Sequence, residues 1–460
     1  MKASIDLHRD PIKHLIFRMT APGMLAGLVV TSYSLLDMIF ASHLGSIEVA
    51  SVAFVAPLFV MLQALAYGII KGGVSIIATL LGKQANDEAS AYATQLRLQV
   101  MLTSIVISAL GILLLPTVLD VADLSEELYQ QTLIYSKVLF FAIPMTLCFQ
   151  LYESFFRAQG KMAIISKLSI FGICCNALLN ATFIFVLEFR IEGLAYATLL
   201  TSVIQMLVSM LIYHRDKHDF SIGWKTPKDI SKATIWRKLF KVGLPLSFSQ
   251  ASTHFGFMVL NIYIVQYGHE AVAAFAIGNA INSLLFTPIR EFGVGLVPLI
   301  AQNWGREAHL RVKETIKLGI VYAIILGVVA GVIIQTIKYP IAQFLTRDDL
   351  ITYQHIINYV GLVGWTVIAW SIFHTLIAIF NSFQKTVFTM IVEVVRLWGL
   401  RIPGIILFYN LAPSLAEYGI WNTMFISNVV TALFAIAYYT CVIPPCFRRN
   451  NSRLCSVTST

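Results

Sequence analysis

Apolar runs long enough to cross a membrane recur along the entire chain, and the polar residues collect in the gaps between them. Twelve helical spans are predicted, at about 14–42, 49–80, 91–116, 129–156, 163–187 and 191–212 in the first half. The second half gives about 239–265, 271–301, 314–337, 353–381, 387–409 and 417–442. Each reaches the roughly 20 residues that a helix needs to traverse a hydrocarbon core about 30 Å thick. Backbone polar groups in that medium must be satisfied within the chain, so the pattern predicts an all-α membrane protein. One long polar connector interrupts it. The predicted organisation is an N-terminal six-helix lobe over 1–213, a linker over 214–238, a C-terminal six-helix lobe over 239–442 and a tail over 443–460.

The two lobes repeat each other. A shift of 223 positions superimposes Phe17 on Phe240, Pro22 on Pro245, Gly45 on Gly268, Val49 on Val272, Ala50 on Ala273 and Ala53 on Ala276. The same register continues through Gly72 on Gly295, Ala78 on Ala301 and Gly82 on Gly305, and a shift of 224 sets Phe156 on Phe380 and Lys161 on Lys385. Agreement at Gly and Pro as well as at apolar positions marks an internal repeat. With six spans in each copy the repeats are parallel, related by an axis along the membrane normal, which is a transporter plan.

Composition fits this reading, with 57% hydrophobic residues, 12% charged ones and a mean hydropathy of +0.76. The formal charge of +9 does not point to nucleic acid, because the basic residues concentrate at the N-terminus, in the loops after even-numbered spans and at the C-terminus. The opposite loops carry only Arg190, Lys338 and Arg347. That asymmetry predicts an inner (plasma) membrane protein with both termini and the linker in the cytoplasm. Six cysteines, Cys148, Cys174, Cys175, Cys441, Cys446 and Cys455, lack metal-ligand spacing, and no disulfide framework or cleaved signal peptide is expected. There is no HExxH pair, GxSxG elbow or phosphate-binding loop, so no enzyme is expected.

Charges inside the spans are the candidates for function. Asp37 stands alone in the outer part of the first span; a carboxylate there is costly and is by default functional, as a group that takes up and releases a proton. Asn176 and Asn180, four apart, share a helical face; with Thr198 they offer oxygen ligands to a sodium ion, orient Asp37, or act as interhelical glue. Lys71, Arg290 and Glu291 read equally as a substrate-facing patch, an interlobe gate or a packing pair. Glu393 and Arg396 have the spacing of an intrahelical pair. Pro22 is a hinge candidate on the helix that carries Asp37, and Tyr33, one turn before Asp37, is a candidate for contacting flat cations.

Taken together, Pro22, Asp37 followed by Phe40-Ala41-Ser42-His43-Leu44-Gly45, the paired segments Gly82-Lys83 and Gln302-Asn303-Trp304-Gly305, and Asn176-Ala177-Leu178-Leu179-Asn180 resemble the multidrug and toxic compound extrusion family of prokaryotic type. The resemblance spans nearly the whole chain. It implies a V-shaped pair of six-helix lobes that exports cationic or amphipathic drugs in exchange for protons or sodium ions, without a cofactor. It carries the family's cation site onto Asp37, Asn176, Asn180 and Thr198. Relatives often place an aspartate where Asn180 stands, and some add acidic residues in spans seven and ten, where this chain offers Thr253, His254 and His374. With Asp37 as the sole carboxylate of the matched site, H+ is favoured over Na+ as the coupling ion. The expectation is a monomeric secondary antiporter working by alternating access among membrane lipids, conferring drug resistance by xenobiotic export. The alternative is a flippase for lipid-linked intermediates of the same superfamily, which needs a larger cationic cavity than Lys71, Arg97, Arg290, Arg396 and Arg401 suggest.

Overall fold

A computed structural model of the chain describes residues 6–7, 9–122, 124–216, 218, 220–223, 231–266, 269–346, 350–411 and 416–446. Gly268 of the repeat, the loop residue Arg347 and Cys455 lie outside the described residues. Helices account for nearly everything described, and no strand occurs among the described residues. In order they are α1 (Ile12–Leu44), α2 (Ser46–Gly82), α3 (Asn86–Val121), α4 (Glu126–Phe141), α5 (Ile143–Ala158), α6 (Met162–Ala181), α7 (Ile191–Arg215) and α8 (Lys232–Val265). Then follow α9 (His269–Gly305), α10 (His309–Thr346), α11 (Leu350–Val363), α12 (Val367–Ser382), α13 (Thr386–Val394), α14 (Ile402–Leu411) and α15 (Ala416–Cys446).

Every predicted span is helical. Ten helices among the described residues are long and apolar enough to cross a membrane, and α8 and the α13–α14 segment complete the twelve. Four spans predicted as single helices are interrupted, the fifth by the π-helical turn Thr182–Val186 that follows α6. The fourth breaks at Ala142, where Pro144 opens α5 and has no N–H to continue the ladder of α4. The tenth breaks at a 3₁₀ turn, Gly364–Thr366, and the carbonyls of Val360 and Gly361 accept Gln335 Nε2 at 3.2 and 3.1 Å. The eleventh contains a π-helical turn, Val395–Arg401, between α13 and α14. Apolar side chains such as Leu102, Ile105, Leu113, Val329 and Leu433 stand exposed on these helices, a pattern suited to lipid.

The repeat extends to individual backbone bonds. After α2, Lys83 N bonds Thr79 O, Gln84 N bonds Leu81 O and Ala85 N bonds Leu80 O, at 3.1, 3.0 and 3.0 Å. After α9, Arg306 N bonds Gln302 O, Glu307 N bonds Trp304 O and Ala308 N bonds Asn303 O, at 3.1, 3.0 and 2.9 Å. Gln84 and Glu307, matched by the 223 shift, share a left-handed φ of 60° and 61°; Gly160 and Gln384, matched by the 224 shift, share φ of 75° and 59°.

The chain divides into two compact units. One gathers the residues up to Leu28 with those from Phe255 onward, and the other runs from Val29 to His254. Helices α1 and α8 therefore each contribute to both. In the Val29–His254 unit, α2 packs on α3, α4 and α5, while α7 packs on α4, α5 and α6. The first part of α8 sits against α2 so closely that a Cβ on Gly72 would lie 2.9 Å from Gly243 Cα, and one on Gly68 would strike the Ser247 backbone. In the other unit α9 packs on α10, α11 and α12, and α12 on α15. There Gly295, the repeat partner of Gly72, meets the first part of α1, with a Cβ 2.8 Å from Met19 O. The core of that unit includes Phe275, Tyr359, Val360, Met424 and Trp421.

Candidate functional site

The first apolar helix would hide its carboxylate from water, and the sequence supplies a partner from α6. Asn180 Nδ2 donates to Asp37 Oδ1 at 3.0 Å, and the same amide donates to Asn176 Oδ1 at 3.0 Å. Asn176 and Asn180 are wholly buried, one turn apart on α6. Both protons of the Asn180 amide are thus engaged, whereas Asn176 Nδ2 and Asn180 Oδ1 have no hydrogen-bond partner among the described residues. A buried polar atom in that condition calls for a ligand, a water or a moving neighbour.

Helix α7 supplies the second wall. Gly172 of α6 leaves room for the Gln205 side chain of α7, and Gln205 Nε2 donates to Leu168 O at 3.3 Å. That contact fixes the register of the antiparallel pair and sets Thr201 and Thr198 level with Asn176 and Asn180. Thr198 is buried and its hydroxyl has no partner among the described residues. Tyr33, half-buried on α1, lies within electrostatic reach of both the Asp37 carboxylate and the Thr201 hydroxyl. Tyr135 of α4 also lies close enough to Asp37 to feel its charge. A π-helical turn, Thr182–Val186, follows α6 directly after Asn180, a helix irregularity common at functional sites.

Sequence reasoning did not single out Tyr135 or Thr201, since each looks like an ordinary packing residue. The repeat held a signal for the first, because the 224 shift sets Tyr135 on Tyr359. It also missed the ion pair between Arg190 Nη2 and Glu48 Oε1, at 2.7 Å with Glu48 only 2% exposed. That pair ties the start of α2 to the turn before α7.

The remaining sequence candidates lie elsewhere. Pro22 sits within an uninterrupted α1. Lys71 of α2 places its Nζ 4.7 Å from the centroid of the Tyr67 ring. Arg290 Nη2 and Glu291 Oε1 are 3.6 Å apart on α9, and the Glu291 side chain fills the space left by Gly27 of α1. Thr253 Oγ1 bonds Ser249 O of its own helix at 2.8 Å, and the His374 ring lies 4.0 Å from that of Trp370. Glu393 and Arg396 form the pair their spacing permits, at 2.7 Å, with both side chains buried. Among the described residues no group of three or more His, Cys, Asp or Glu side chains is arranged to hold a metal ion.

This arrangement of helices recurs in solved structures. A MOP superfamily transporter from Pyrococcus furiosus matches with a TM-score of 0.86 at 21% identity, covering 96% of this chain and 99% of the other. The Vibrio cholerae MATE transporter VcmN, in its bent form, matches with a TM-score of 0.84 at 17% identity, covering 94% of this chain and 96% of the other. Among curated sequences, the probable multidrug resistance protein YoeA of Bacillus subtilis is 22% identical over 86% of each chain. The multidrug export protein MepA of Staphylococcus haemolyticus is 26% identical over 72% of this chain and 73% of its own. The FAD transporter of Shewanella oneidensis is 22% identical over 76% of this chain and 77% of its own. The MatE family model matches residues 22–182 and again 245–407, the two copies of the internal repeat. With more than half of its length matched in this way, the chain belongs to the MatE family of multi-pass membrane transporters.

Proposed function

We propose that the protein is a secondary active multidrug efflux antiporter of the inner (plasma) membrane, exporting cationic or amphipathic small molecules in exchange for protons by alternating access, with both termini cytoplasmic. The observation that carries this reading is the Asp37–Asn180–Asn176 chain of hydrogen bonds inside an apolar bundle. A carboxylate whose one hydrogen bond among the described residues comes from an amide gains or loses a proton at the cost of rearranging that bond. Coupling follows if the protonated and ionised forms favour different conformations, since an ion that bound both equally would shift nothing.

The amide orientation supports protons over sodium. Asn180 presents a nitrogen to Asp37, occupying a direction from which a cation would approach. Sodium would need Asn180 to turn its unpartnered Oδ1 toward the carboxylate and to recruit the Thr198 hydroxyl, since a hard cation takes oxygen ligands. Names of relatives support the substrate class, with multidrug export assigned to MepA. Pro22 serves in this reading as the hinge of α1, while Tyr33, Lys71, Arg290 and Glu291 contact substrate or gate its path. The test is efflux from proteoliposomes driven by a pH jump or by a sodium jump. Transport is expected to follow the pH gradient, and transport that ignored pH and required sodium would overturn the choice of ion.

A further inference from the structure

The first part of α8 presents a charged end and an apolar stem on one face. Its other side is committed to the bundle: Gly243 and Ser247 meet α2, and Leu239, Val242 and Leu246 are buried. Trp236 fixes the start of the helix, donating from Nε1 to Gln95 Oε1 of α3 at 2.8 Å. Arg237, Lys241, Leu244 and Phe248 therefore share the outward face, at spacings of four, three and four residues, and all four are exposed. The two cations flank position 239, where the apolar span is predicted to begin, and Leu244 and Phe248 continue below them. From Arg237 to Phe248 the helix rises about 16 Å.

This face is concave at its charged end. Arg237, Phe240, Lys241, Leu244 and Pro245 line a groove of about 680 Å³, and no carboxylate stands among these lining residues. The Phe240 ring meets the fixed Trp236 ring edge-on with centroids 6.0 Å apart, which holds one wall in place. The surroundings are already rich in positive charge. Lys238, whose Nζ lies 5.5 Å from the centroid of the Tyr92 ring, is held below the ordinary lysine range by burial and by the charge of Lys83, with Glu88 acting against them. Basic residues at the end of a membrane span are common; two of them at the head of one groove whose floor continues into lipid-facing Leu244 and Phe248 match the shape of an amphiphile. A guanidinium and an ammonium one helical turn apart suit a phosphodiester, and they repel a headgroup that carries its own ammonium. The first repeat has His14 and Arg18 at the positions of Arg237 and Lys241, one permanent cation fewer.

We propose that the groove at the start of α8 binds one anionic glycerophospholipid, with its phosphodiester on Arg237 and Lys241 and an acyl chain along Phe240, Leu244 and Phe248. The site is independent of drug–proton exchange at Asp37, and its test reads binding rather than transport. The full-length protein in a neutral maltoside detergent is titrated with dioleoylphosphatidylglycerol, dioleoylphosphatidylcholine or inorganic phosphate while its melting temperature is followed. A saturable rise is expected with phosphatidylglycerol alone. Arg237→Gln and Lys241→Gln should each move its midpoint to about five-fold higher concentration, and the double substitution should abolish it. Lys232→Gln, an exposed cation about 140° around α8 from Arg237, should leave it unchanged. Leu244→Ser, which keeps both cations, should also raise the midpoint about five-fold and carries the test if the double variant does not fold. An equal response to phosphatidylcholine, saturation by inorganic phosphate, a midpoint moved as far by Lys232→Gln as by Arg237→Gln, or one that neither Arg237→Gln nor Leu244→Ser moves, overturns the proposal.

Discussion

Tyr135 and Tyr359 occupy matched places in the two copies of the repeat, and both are buried. The first lies within electrostatic reach of the carboxylate of Asp37, the second within that of the guanidinium of Arg401. At the position matching Asp37 the C-terminal copy has Leu260, packed in the core with Tyr359; at the position matching Arg401 the N-terminal copy has Ala177. Duplication supplied the same scaffold twice, and a few substitutions gave its two polar centres opposite charge. The lesson is that backbone and function diverge at different rates: the turns agree bond for bond, while the buried charges exchange sign.

The comparison can be broken most severely at Asp37. Asp37→Asn is expected to abolish ion-coupled efflux while leaving a folded, monodisperse protein, measured in proteoliposomes and by gel filtration. Pro22→Ala is expected to lower efflux by about ten-fold if bending of α1 is part of the cycle; unchanged transport and coupling would remove the hinge. The matched glycines test the shared scaffold. Gly72→Val and Gly295→Val should each destabilise by roughly 2–3 kcal/mol in thermal or denaturant unfolding, because both new side chains meet backbone on the neighbouring helix. The tyrosines separate the halves: Tyr359→Phe removes the 2.7 Å bond to Asn279 and should cost about 1 kcal/mol, whereas Tyr135→Phe removes no described hydrogen bond and should be near neutral. Smallest is the turn at φ 59°, where Gln384→Gly should stabilise by up to about 1 kcal/mol and Gly160→Gln, at φ 75°, should destabilise by a similar amount.

The spans and the repeat were legible because lipid imposes one demand, apolar helices, and because Gly and Pro record backbone geometry directly. Asp37 was legible as a charge out of place, and Asn180 as its neighbour through the family resemblance. Tyr135 and Thr201 were not, since a tyrosine or threonine in a membrane helix has many ordinary uses and only the third dimension shows what it faces. Arg401 was visible as an intramembrane charge, but its neutral partners Ser427 and Asn428 lie on a different span, and no local pattern links them. The interruption at Gly364–Thr366 has no proline to announce it; the side chain of Gln335, from another helix, satisfies the carbonyls it frees.

The sharing of α1 and α8 between the two units bears on gene dissection. A chain severed in the polar connector would yield fragments that each carry a helix whose first part belongs with the other fragment: residues up to Leu28 with the C-terminal piece, the stretch before Phe255 with the N-terminal piece. Neither fragment alone would complete its packing at Gly72 or Gly295. Co-expressed fragments should therefore reassemble into a working carrier that neither forms by itself, and second-site suppressors of defects at Gly72 should arise around Gly243, beyond the midpoint of the gene.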